Sequence, residues 1–539
     1  MAVGRADRQL RFDDAAALLG ERLAEGTIYQ LLAGQGDRLF PDEYLADLYA
    51  DSAKGRPTVP ARVVCSVMLL QAHEGLSDRE AVDRLAFDLR WKAAAGLAVD
   101  AGAFHPTVLV GVRNRLRASD RPRRLFEDVN GVARRAGLLR GRKRVIDSTP
   151  LYDAVSTQDT VTQLRAAIRK LLMVADRLGE GMLAGEVRSV LARDDDYAGP
   201  GKPPCDWDDP AAREALVDAL VRDCRAVLGV LHGRALSGPL AEAATLLALV
   251  TGQDVEEGED GIFRIARRVA RDRIISTVDP EARHGHKSRK RTFDGYKTHL
   301  AADPDDELIT EVGVTAANVP DRDAVDDLIA AEVLDNHQAE SEQAESEQAE
   351  RGFDIFGDSA YADADTFDRV GEAGHRLRAK VPPVRNRGGR FSKDDFDIDL
   401  GRGEATCPAG NTAPITPARG GGGKVAFGRF CGSCPLRERC TAAKAGRSVA
   451  IHRREATLQT ARAVQKDPAW RQAYRANRPI AERKIAHFTR RAWGGRKARC
   501  RGTARILTDV LTRAAAVNLT RLATLGLNHA PTGWVVATG

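Results

Sequence analysis

Two short apolar runs, each ending in an acid, constrain this chain more than any other feature. Val145-Ile146 leads into Asp147-Ser148-Thr149-Pro150, and Phe353-Asp354-Ile355-Phe356 leads into Gly357-Asp358. Runs this short, bounded by turn residues, read as buried strands with a carboxylate at the C-terminal end. Between them lie strand signals at 292–302 (TFDGYKTHLAA) and 307–315 (ELITEVGVT), split by the turn Asp303-Pro304-Asp305-Asp306. A helix is expected from about Asp321 and a further strand over 375–381. Strands and helices in this order predict a mixed α/β domain.

Helices flank that domain. Val63, Val64, Val67, Met68 and Gln71 follow helical spacing behind Pro60, and Ser77-Asp78-Arg79-Glu80 has the form of a capping box. Phe104-His105-Pro106-Thr107 breaks the chain before a helix bearing Arg113, Arg115 and Arg117. Residues 1–135 are therefore expected to form a helical N-terminal domain whose inter-helix turn suits DNA docking. Residues 136–539 are read as the α/β domain, carrying a helical insertion over 158–270 and a cysteine-rich insertion over 400–445. The repeat at 338–350 (QAESEQAESEQAE) reads as a solvated helix extension or loop. Two helices are expected in the tail, over 479–493 with Pro479 setting the first turn, and over 503–525.

The composition excludes several classes. With 539 residues, 43% hydrophobic and 29% charged, the chain suits a globular protein of about two to four domains. No run approaches the roughly 20 apolar residues of a membrane helix. The first residues lack the apolar core of a signal peptide, so the protein is expected to stay where it is made. Eight cysteines are too few for a disulfide scaffold in a chain this long.

Charge is segregated. Residues 451–539 hold 18 Lys and Arg against 4 Asp and Glu, and residues 101–150 hold 12 against 4, whereas residues 301–370 hold 3 against 21. Two basic regions around an acidic one suit a polyanion beside a carboxylate-rich centre.

Asp147, Asp358 and Glu482, the last early in its helix, are the candidate catalytic acids. A single such acid is an ordinary turn residue; three in basic surroundings suit Mg²⁺ or Mn²⁺, two of which would serve phosphoryl transfer. Cys407, Cys431, Cys434 and Cys440, beside Gly420–Gly423, have a spacing that suits a structural Zn²⁺ knuckle. Lys287, Arg289 and Lys290, in a basic run with His284 and His286, are expected to contact phosphates, as are Arg496 and Lys497.

The order VIDSTPLYDAV, FDGYKTHLAAD with ELITEVGVTAANVPD, DIFGDSAYADADTF and YRANRPIAERK resembles insertion-sequence DDE transposases, in particular the group numbered 1182 of the larger four/five superfamily. LSDREAVDRLAFDLRW and VRNRL resemble that group's N-terminal domain. The resemblance implies an RNase H-like catalytic domain, a mixed sheet with flanking helices, with Asp147 on its first strand and Asp358 after its fourth. It further implies two Mg²⁺ ions on Asp147, Asp358 and Glu482. The partners would be double-stranded DNA of the terminal inverted repeats and the target, bound by a homodimer in the bacterial cytoplasm at the nucleoid.

The family signature runs Tyr, two residues, Arg, three residues, Glu, six residues, Lys. Arg478 fits it, Tyr474 lies one position further upstream, and Thr489 holds the Lys position with Arg490 beside it. Tyr474, Arg478 and Arg490 are the DNA contacts implied there. The rival readings are an inactive DNA-binding copy, a metal-dependent nuclease that does not join strands, and a zinc-binding interaction protein.

Overall fold

The structure, a computed structural model, describes residues 4–5, 14–49, 57–236, 238–268, 270–288, 290–330, 352–382, 388–490 and 495–537. The repeat at 338–350 and Arg289 lie outside them; the helix expected to reach residue 493 ends at Phe488. At the centre is a six-stranded mixed sheet: β1 (Lys143–Tyr152), β2 (Arg283–Ser288), β3 (Arg291–Asp303), β4 (Leu308–Ala316), β5 (Asp354–Phe356) and β6 (Arg376–Arg378). β3 pairs antiparallel with β1 on one side. On its other side it pairs with β2 and then β4, which share that edge end to end. β5 pairs parallel with β1, and β6 parallel with β5.

β1 is longer than its apolar run. The strand passes through Asp147 and Pro150 to Tyr152, so Asp147 lies in mid-strand and not at its end. Its pairing explains this: β3 follows it as far as Tyr152, whereas β5 leaves it after Val145. From Ile146 onward β1 has one strand partner, and such an edge accommodates Pro150. The free edge is taken up again only at Tyr152, which exchanges backbone hydrogen bonds with Arg496 and Ala498 (2.7 and 2.8 Å).

The N-terminal helices form as the sequence predicts. Ala61–Glu74 buries Val63, Val64, Val67, Met68 and Gln71, and Ser77 and Glu80 close their reciprocal capping box. These helices share their core with other parts of the chain. The helix Thr503–Thr524 packs against Ala61–Glu74, Arg124–Arg135 and β4, and one continuous apolar cluster runs through all of them.

That junction is buried and is joined by amides. Thr310 is an extra residue in β4, opposite the step from Ala301 to Ala302, and forms a bulge. Beside it Asn518, fully buried, accepts from the Ile309 N–H (2.8 Å) and donates to the Ile309 carbonyl (2.7 Å) and to Asn130 Oδ1 (2.7 Å).

The segment between β1 and β2 carries four helices, Thr160–Leu178, Gly181–Ser189, Pro210–Leu231 and Gly238–Gln253, which enclose a separate apolar cluster including Leu164, Ile168, Leu171 and Leu172. The cysteine-rich segment is not a knuckle on a glycine turn. It is a five-stranded antiparallel sheet over residues 397–451 with a small core of its own around Phe396, Val425 and Phe427. Among the described residues no helix is long and apolar enough to cross a membrane.

Asn518→Leu should destabilise the protein by about 3 kcal/mol, because it strands the Ile309 amide and one Asn130 group in an apolar core. Thermal or urea denaturation measures this, and an unchanged midpoint would show that the amides carry no such weight.

Candidate active site

Three distant segments meet where β5 leaves β1. Asp147 comes from mid-β1, Asp358 from the turn after β5 and Glu482 from the helix Pro468–Phe488, and all three line one open cavity of about 450 Å³. Lys287 and Arg496 also line it. Asp358 is held by its own turn, its Oδ1 accepting from the Ala360 N–H (2.8 Å).

The Glu482 helix begins eleven residues earlier than expected. Asp467 caps it with a bond from the Ala469 N–H (3.0 Å), Pro468 opens it, and Pro479 lies inside. Pro479 is tolerated because it is on the exposed face, where water can reach the carbonyl its missing N–H leaves free. The opposite face buries Trp470, Tyr474, Arg478, Ala481, Ile485 and Phe488. Tyr474, Arg478 and Glu482 follow at four-residue spacing, so the one-residue departure of Tyr474 from the family pattern keeps it on the same side of the helix.

Their environments differ sharply. Tyr474 is buried and its hydroxyl donates to the Gly357 carbonyl (3.0 Å), so it braces the Asp358 turn and does not line the carboxylate cavity. Arg478, also buried, donates from Nη2 to Asp147 Oδ2 (2.7 Å), while its Nε and Nη1 have no hydrogen-bond partner. The Glu482 side chain is 73% exposed, with its Oε1 3.9 Å from Arg478 Nη1. Burial pushes the Asp147 carboxyl above the usual carboxylate range; the Arg478 guanidinium and the Ser148 amide oppose this, and the charge of Asp358 adds to it.

A fourth acid, Asp321, belongs to the same cavity and was read from the sequence only as a helix start. Its two oxygens accept from Lys297 Nζ (2.8 Å) and Ser148 Oγ (2.8 Å), and Lys297 also donates to the Val319 carbonyl (2.8 Å). Asp321 follows β4 as Asp358 follows β5, and that acid-after-strand pattern was the available signal. Behind the acids, the Tyr361 hydroxyl is buried without a hydrogen-bond partner. Burial, and then the charges of Asp321, Asp147 and Asp358, push it far above its ordinary range.

The remaining candidates are spread out. Lys290 is exposed in the turn between β2 and β3, and Arg490 follows the Glu482 helix without lining the cavity. Lys497 faces a different cleft.

Carboxylates are the hard oxygen donors that Mg²⁺ or Mn²⁺ prefers, so the donor set suits such an ion. Among the described residues, however, no three His, Cys, Asp or Glu side chains converge closely enough to hold a metal, and Arg478 takes up Asp147.

Among the described residues no such group is found around the cysteines either. Cys407, Cys431, Cys434 and Cys440 do gather around one cavity of about 20 Å³, but beside the rings of Phe391, Phe427 and Phe430. Cys431 Sγ accepts the Arg447 N–H (3.4 Å), and burial pushes the Cys440 thiol upward, with Arg447 opposing and the other three thiols adding to it.

His299, on β3 behind Lys297, is fully buried with Nε2 2.8 Å from Thr315 Oγ1. Burial pushes its pKa from 6.5 down to about 4, with Asp321 opposing and Lys297 assisting. The unfolded chain therefore binds a proton that the folded protein excludes between these values, so stability is fully present above about pH 6.5 and is lost toward pH 4. The Tm should fall across that window less steeply in His299→Gln than in the parent, and parallel curves would refute the assignment.

A family model described as a transposase DDE domain matches residues 406–523, and one described as a transposase domain (DUF772) matches residues 19–115; together they span less than half of the chain. No curated protein and no solved structure matches it. The first match runs unbroken from the cysteine-rich sheet through Glu482 into the long C-terminal helix, and the second covers the N-terminal helices packed on that same helix. Both matches lie on one shared core beside the carboxylate cavity, and over these segments the chain is similar to DDE transposases.

Proposed function

We propose that this chain is a transposase that hydrolyses the DNA strand at the transposon end and joins the freed 3′-hydroxyl to target DNA, with Asp147, Asp358 and Glu482 as its catalytic carboxylates. The observation that carries this reading is the convergence of those three acids, from three separated segments, on one cavity rimmed by Lys287 and Arg496. The sheet order supports an RNase H-like core: antiparallel β4, β3 and β1, then parallel β5 and β6, with the first acid on the central strand and the second just after its parallel neighbour. β2 is then an added strand on the β3 edge.

The three carboxylates would hold the divalent ions, which when bound activate the attacking oxygen and stabilise the leaving one. The protein's own groups prepare that place. β1 and the β5 turn fix two carboxylates on rigid backbone, and Glu482 comes from the exposed face of a helix anchored by its buried side. Arg478 neutralises Asp147, which is too buried to carry an unpaired charge cheaply. Lys297 and Ser148 orient Asp321 toward the same cavity, where it positions Asp147 through the neighbouring Ser148. Lys287 and Arg496 stand where the phosphates of a strand entering the cavity would need cations. Two protomers acting on two transposon ends complete the proposal.

The deciding test is cleavage and strand transfer on terminal-repeat DNA with Mg²⁺. Asp147→Ala, Asp358→Ala and Glu482→Ala should each lose on the order of a thousandfold or more in cleavage while still binding DNA. Turnover retained by Asp358→Ala would overturn the site. Nicked but unjoined product from the parent protein would indicate a nuclease, and binding without cutting an inactive copy. Asp321→Asn should lower cleavage by about 10–100-fold, as loss of a group that orients a ligand does; an unchanged rate would remove Asp321 from the site.

A further inference from the structure

A second and larger cavity, about 800 Å³, opens between the N-terminal helices and the start of the long C-terminal helix. Its walls come from Ala61–Glu74, the first turn of Asp78–Phe87, Thr107–Ala118, residues 497–500 and the first turns of Thr503–Thr524. Arg113, Arg117, Lys497, Arg499 and Arg505 line it, together with Asp78, Glu80 and Asp509.

The two signs of charge are not equally available. Each acid is already engaged: Asp78 by Arg113 and Gln71, Glu80 by the Ser77 N–H at its capping box, and Asp509 by Arg513. Arg117, Lys497, Arg499 and Arg505 have no acid within ion-pair distance among the described residues. Arg117 reaches Asn114 (2.8 Å), and Arg499 donates to the Leu76 carbonyl. Lys497, Arg499 and Arg505 are exposed. The cavity therefore presents an excess of cations, five against three acids, drawn from segments far apart in the chain.

Its position relative to the acids is set by the backbone. Residues 496–498 are tied to the end of β1 through Tyr152, and in that extended pairing Arg496 lines the carboxylate cavity while Lys497 lines the basic one. One peptide bond separates them, so a chain of phosphates leaving the acids past Arg496 meets Lys497 next.

We propose that this cleft takes the sugar–phosphate backbone of one DNA strand continuing from the catalytic cavity, with Arg117, Lys497 and Arg505 as its phosphate contacts. The inference rests on the transposase reading above. It adds a nucleic-acid surface built jointly by the N-terminal helices and the C-terminal segment, so the strand passes along the seam between them. Contacts of this kind hold register and are blind to sequence.

The test uses the full-length protein and a short fluorescein-labelled DNA duplex of arbitrary sequence, with affinity read by anisotropy over a series of salt concentrations. The triple variant R117A/K497A/R505A should bind about tenfold or more weakly, and its slope of log K against log salt should shrink by about 3, near 0.9 for each phosphate that is no longer neutralised. The charge-preserving triple variant R117K/K497R/R505K should keep most of the slope, and Arg177→Ala, on an exposed helix of the segment between β1 and β2, should bind as the parent does. An alanine triple variant with the parent's affinity and slope would overturn the cleft while leaving the catalytic reading intact. Failure of the parent itself to bind duplex DNA would overturn both.

Discussion

Much of this molecule depends on one side chain, Asn518, and on the problem it solves. β4 is an edge strand covered by the long C-terminal helix, with a bulge at Thr310. An amide and a carbonyl left there under an apolar helix would cost more than the packing returns. Asn518 satisfies both from the helix, and Asn130 completes the set from Arg124–Arg135. The N-terminal helices, the sheet and the C-terminal helix are thereby held in one register. The Glu482 helix precedes that long helix in the chain and packs on both it and β1, so the position of the third acid depends on the same junction.

Within the site, the governing quantity is the solvation of Asp147. It lies on the central strand where its parallel neighbour ends, close enough to the core for burial to raise its pKa and near enough to Arg478 for an ion pair to offset this. Glu482, one helical turn beyond Arg478, is mostly in water. The three carboxylates thus differ in how firmly they are held: Asp147 by a buried cation, Asp358 by its turn, Glu482 by its helix alone. Arg478 links two of them, with Nη2 on Asp147 Oδ2 (2.7 Å) and Nη1 3.9 Å from Glu482 Oε1.

The cysteine-rich segment shows how much spacing alone leaves open. Four cysteines within a short stretch match the count and intervals of a zinc site. Here a five-stranded sheet brings the four thiols to one small cavity that phenylalanine rings also line. The family match that runs continuously from this sheet to the C-terminal helix makes the sheet part of the matched segment.

Local rules were legible in the sequence wherever local chemistry decides the outcome. The capping box at Ser77 and Glu80, the helix over Ala61–Glu74, the long strand with Tyr296, Lys297 and His299, and the acids Asp147 and Asp358 beside apolar runs all follow from neighbours within a few residues. The true start of the Glu482 helix was missed because Pro479 reads as a helix opener unless its exposure is known. Asp321 was missed because its meaning lies in Lys297 and Ser148, from two other strands. The ion pair between Asp147 and Arg478 joins residues 331 positions apart, and the basic cleft joins Arg117 to Arg505. The sequence by itself determined the main strands and helices around the acids and which residue types could perform phosphoryl transfer. Only the tertiary structure decided which charges are buried, which are paired and which share a cavity, because solvation and Coulomb energies depend on distance and burial and not on order along the chain.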